Sequence, residues 1–163
     1  MNAKDLLKST MTLNTTIMTK YLADLDDADL MRRPSAGSNH LKWQLGHLIA
    51  SEAGLLAAAC PERKIELPAG FEKAHERDQT ANDDPAAFPP KQVYLEQQER
   101  VRAAVVAAID SLSEADLDKP APEQMRNFLP TVGHIFMLIG THPIMHCGQF
   151  AVVRRLQGKP VVI

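Results

Sequence analysis

The sequence predicts an all-α four-helix bundle. Three observations carry this reading. Four segments place apolar residues at helical spacing, one connection of about thirty residues is long enough to be a crossover, and no segment alternates as a half-buried strand does. The length, 163 residues, suits one domain over 1–163 whose core needs no covalent staples.

The first helix is expected over 3–24, where Leu6, Leu7, Met11, Leu13, Ile17, Met18, Tyr21 and Leu22 form the stripe. It stops in an Asp-rich stretch followed by Pro34 and Gly37. The second helix, over 40–59, takes Ser38 or Asn39 as its cap. It is apolar over most of its circumference, which predicts packing on several sides. His47 at its middle then needs a partner, because a lone buried imidazole is costly. Residues 61–90 read as a crossover between helices 2 and 3 that covers one end of the bundle, with one or two helical turns in 71–78.

The third helix, over 91–112, turns Tyr94, Gln97, Val101, Val105, Ala108 and Leu112 inward. The stretch SLSEADLDKPAP after it repeats the character of LADLDDADLMRRP, so the two halves read as related helical hairpins. The fourth helix has Thr131 as N-cap and Gly158 with Lys159-Pro160 as its stop. Pro143 close behind Gly140 predicts a kink near 139–143, or a break with Thr141 capping a second piece.

Composition narrows the partners. The formal net charge is −2 and no basic stripe is present, which argues against nucleic acid. The pairs Arg32-Arg33 and Arg154-Arg155 read as solvated helix ends. Cys60 and Cys147, far apart, suggest buried thiols in a reducing cytoplasm. The N-terminus lacks the apolar core of a signal peptide, and no apolar run reads as a membrane span, so a cytoplasmic protein with no membrane partner is expected.

The chemistry concentrates on histidines. His142 and His146 are four apart, one turn along the same helical face, a spacing that lets two imidazoles share an ion. His47, on a facing helix, is the third expected ligand. Three neutral imidazoles leave a position open for substrate, the layout of catalytic sites, and suit Zn, Ni or Fe as the divalent metal ion. Trp43 and Ser51 share the His47 face and are expected to line the pocket. His134 reads as a packing or outer residue, His40 and His75 as exposed, Cys147 as pointing away, and Glu52 as a solvated or cap-pairing acid. Glu52 and Gln149 are nonetheless the nearest polar candidates for an acid or base.

HLKWQLGHLIASE and THPIMHCGQFAVVRRLQGKP, in this order, resemble the DinB-like superfamily of metal-binding four-helix bundles. The resemblance spans nearly the whole chain and implies a three-histidine metal site at His47, His142 and His146. Pro143 departs from the usual pattern. Members include transferases and isomerases that use a low-molecular-weight thiol, and many are dimers. The resemblance therefore implies a small-molecule substrate or thiol and a homodimer. The function expected first is a metal-dependent thiol S-transferase. A metal-dependent hydrolase using metal-bound water, or a non-enzymatic metal- or ligand-binding bundle, are the alternatives.

Overall fold

All four long helices form. A computed structural model describes residues 1–163, with α1 at Ala3–Leu22, α2 at Leu41–Ala59, α3 at Lys91–Ser111 and α4 at Val132–Leu156. Single helical turns occupy Asp27–Leu30, Phe71–Ala74 and Glu114–Leu117, and the only β-type pairing is an isolated bridge between Pro120 and Thr131. The two repeated stretches take the same form. Asp26 and Ser113 each start a one-turn helix with a reciprocal capping box, closed by Asp29 and Asp116.

Cross-helix contacts fix the directions. Lys8 pairs with Asp110 at 2.7 Å while Lys91 reaches the Leu22 carbonyl, so α1 and α3 run antiparallel. Asn14 donates to the Gly140 carbonyl and Arg154 to that of Tyr21, so α1 and α4 run parallel. Glu52 meets Arg102 while Gly46 lies against His75, itself bonded to Tyr94, so α2 and α3 are parallel too. The bundle is up-down-down-up.

Parallel neighbours explain the crossover. After α2, about 28 Å long at 1.5 Å per residue, the chain must climb back before α3 can begin. Residues 61–90 do so along the side of the bundle, which corrects the expectation that they cover one end. Arg100 holds the Glu66 carbonyl at 2.6 Å, Trp43 Nε1 donates to the Glu76 carbonyl at 3.0 Å, and Arg33 binds Asp83 and the Thr80 carbonyl. Phe71, His75 and Phe88 are buried beneath this strap. The α2 segment it covers, Leu41 to Gly46, is buried throughout.

Several local expectations change. His40, not Ser38 or Asn39, caps α2, its Nδ1 accepting from the Trp43 N–H at 3.0 Å. The fourth helix is unbroken through Pro143, and Thr141 donates to the Met137 carbonyl rather than capping a second piece. Arg154 is buried, ion-paired with Asp24 and bonded to the Tyr21 and Pro160 carbonyls, so it is no solvated helix end. By length and mean hydropathy, 1.2 over its best window, α4 does qualify as a membrane span, contrary to the sequence reading. It packs against α1 on one side and α2 on the other, as a helix of a bundle core does.

Candidate metal centre

The second turn of α2 and the middle of α4 meet at three histidines. His47, His142 and His146 each offer a ring nitrogen, and the three donor atoms lie within 4.8 Å of one another. Ring centroids are 5.2 Å apart for His47 and His142, 5.6 Å for His47 and His146, and 5.1 Å for the α4 pair. Nitrogens bound to one ion at about 2.1 Å would be about 3.4 Å apart, so small ring rotations close the triad.

Burial makes these rings good ligands. It is the first cause lowering the pKa of all three, with the charge of Arg77 adding to it at His47 and the neighbouring rings adding to it at His142 and His146. His146 is lowered to about 4. At neutral pH each ring is therefore uncharged and keeps a lone pair for a metal.

One ring is already aimed. Gln44, fully buried a turn before His47, accepts from His146 Nδ1 at 2.9 Å. Its own amide nitrogen donates to the Asn39 carbonyl at 2.7 Å, which fixes which end of the amide faces the ring. His146 thus carries its proton on Nδ1 and turns the Nε2 lone pair to the triad, the arrangement typical of metal-ligating histidines. Trp43 stacks on His47 with centroids 4.9 Å apart and planes 7° from parallel, as its place on that face led one to expect. The donor set, its neutrality and this orientation all fit a divalent ion.

The other histidines do not fit one. His75 is buried, not exposed; its Nδ1 donates to the Phe71 carbonyl at 2.6 Å and its Nε2 accepts from the Tyr94 hydroxyl at 2.9 Å, leaving no nitrogen free. His40 is also buried and spends both nitrogens, on the Trp43 N–H and the Asn82 carbonyl. His134 is exposed and bonded to Thr131 at the start of α4, away from the packing role expected of it. Cys147 is buried and its thiol is pushed up to about 11 by burial, so it stays protonated.

Glu52 overturns its reading as a solvated acid. It is 7 % exposed, paired with Arg102 at 2.9 Å, and burial raises its carboxyl to about 7 against the opposing pull of that arginine. It lines a narrow crevice with His142. Gln149 is half-buried one turn beyond His146. The periodicity that located the three histidines gave no sign of Gln44. The available signal was its place on a helix apolar nearly all round, where an amide must be buried and therefore bonded.

Comparison with known proteins agrees with this architecture. The family model of the DinB superfamily matches residues 11–150. A crystal structure of a conserved protein from Enterococcus faecalis superposes with a TM-score of 0.74 over 98 % of this chain and 99 % of that one, at 17 % identity, which is a likeness of fold. Among curated proteins none matches the chain.

Proposed function

The chain belongs to the DinB superfamily, and from that premise we propose that it is a cytoplasmic metal-dependent enzyme of the thiol S-transferase type, with His47, His142 and His146 holding one divalent ion. The observation that carries the metal assignment is the convergence of three neutral imidazoles, one of them already aimed by Gln44. When bound, such an ion supplies a Lewis acid that favours the ionised form of a small thiol at its open position.

The surrounding side chains favour thiol transfer over hydrolysis. Hydrolysis needs a group that passes a proton to the leaving atom. Gln44 is engaged at both ends, and Glu52 is held by Arg102 in a crevice too narrow for water. A thiol brings its own nucleophile and asks less of its neighbours. Arg77, near enough to influence His47, adds positive charge that suits an anionic substrate or thiol. Trp43, flat against His47, supplies an apolar wall. The outer face of α4, with Met137, Ile144, Met145, Val152 and Leu156 exposed and Arg155 its one exposed charge, supports a homodimer.

Metal analysis of freshly purified protein, followed by cobalt substitution and titration with small thiols, tests the reading. Thiolate-to-cobalt absorption bands together with turnover of an electrophile are the expected result. Full metal content in a His146→Ala protein would overturn the site, and bound metal with neither bands nor turnover would leave a binding protein instead of a transferase.

A further inference from the structure

His146 has an acceptor for its outer nitrogen, but neither ring nitrogen of His142 has a hydrogen-bond partner of its own. A ligating histidine needs one, because an acceptor on the outer nitrogen fixes both tautomer and ring angle. The surroundings of His142 narrow the choice. It shares a crevice with Leu48, Glu52, Leu55, Ile139 and Pro143, and no water molecule fits inside. Among those side chains Glu52 is the only one with an acceptor. Its Oε1 is buried and without any partner, while Oε2 is held by Arg102 Nη2 at 2.9 Å.

The geometry points to Glu52 as the positioning residue of His142, accepting the proton of its outer nitrogen after a small turn of the ring that needs no bound ion. This rests on the metal reading above and extends it. The two α4 ligands would then be aimed by two polar residues of α2, Gln44 for His146 and Glu52 for His142. Arg102, on α3, would hold Glu52 in place from behind. Two features support this assignment. A carboxylate oxygen buried without a donor is costly, and in a crevice that excludes water only a side-chain donor can relieve it. The triad also needs to contract for an ion to bind, and a turn of the His142 ring serves both ends.

The test replaces the buried pair as a unit, Glu52→Leu with Arg102→Met, since removing one charge alone strands the other. Arg102 also lines the groove between α1 and α3, where a methionine preserves most of its stem. The folded double variant is expected to bind zinc about 10- to 100-fold more weakly in a competition titration. In metal-free protein labelled with 15N-histidine, the His142 ring is expected to change from one tautomer to a mixture, which a loss of packing alone would not cause. Glu52→Gln supplies a second route should the double variant fail to fold. Its amide oxygen stays with Arg102 and its N–H faces the ring, so zinc affinity is again expected to fall. Zinc affinity within about twofold of wild type and an unchanged His142 tautomer, in either folded variant, would overturn the proposal. A wild-type protein that binds no zinc would instead refute the metal assignment, while the tautomer measurement would still decide the role of Glu52.

Discussion

Gln44 shows how much of the candidate centre depends on a residue outside the histidine triad. Its two bonds, to Asn39 and to His146, leave the imidazole one orientation and one tautomer. Gln44→Met keeps the volume and removes both bonds. The expected result is a folded protein with zinc affinity reduced about 10- to 100-fold, measured against a chelator of known affinity. Unchanged affinity would mean that packing alone aims His146. The three histidines themselves were legible because a spacing of four on one helix and a mid-helix histidine on another are visible in a string of letters. Gln44 and Glu52 were not, because periodicity names a face and not what lies across from it. A polar group on a nearly all-apolar helix calls for a partner, at Gln44 and Glu52 as at His47.

At the scale of the element, the crossover and α2 are built for each other. A methyl group at Gly46 would come 2.1 Å from the His75 ring. That ring has no freedom to retreat, since both its nitrogens are bonded and it is packed among Phe71, Phe88 and Tyr94. Gly46→Ala is therefore expected to cost about 3 kcal/mol and to free residues 61–90 first. Limited proteolysis or hydrogen exchange would show protection lost there before the four long helices. A variant equally protected in 61–90 would mean that the strap is held mainly by Trp43 and Arg33. The length of this connection was readable and its path was not. Which helices run parallel is decided by contacts far apart in sequence, such as Glu52 with Arg102. The break considered at Pro143 fails for a similar reason: buried Asn14, on α1, bonds the Gly140 carbonyl in the turn that the proline loosens.

The whole molecule should respond to acid through its buried histidines. His40 and His146 are lowered to about 4, and His47, His75 and His142 are lowered as well, burial being the first cause in each. In the unfolded chain these rings titrate near 6.5. Between the two values the unfolded state binds more protons, so stability is full above about pH 6.5 and is lost as pH falls toward 4. Glu52 works in the opposite direction. Its carboxyl is raised to about 7, so the native state keeps a proton that the unfolded chain releases near 4.5, and its contribution fades as pH rises through that window. Several histidines outweigh one acid, and the net slope favours neutral pH, by at most about 1.4 kcal/mol per pH unit for each uncompensated proton. Urea denaturation of metal-free protein from pH 7.5 to 4.5 would measure it. His40→Asn, which keeps a capping side chain, is expected to flatten the slope, whereas the Leu–Met replacement of Glu52 and Arg102 removes the opposing group and steepens it. Zinc, by favouring neutral rings in the native state alone, should carry the loss of stability to lower pH. A metal-free protein equally stable at pH 7 and pH 5 would show that its histidines keep ordinary pKa values, and with them that the triad is not held neutral by burial.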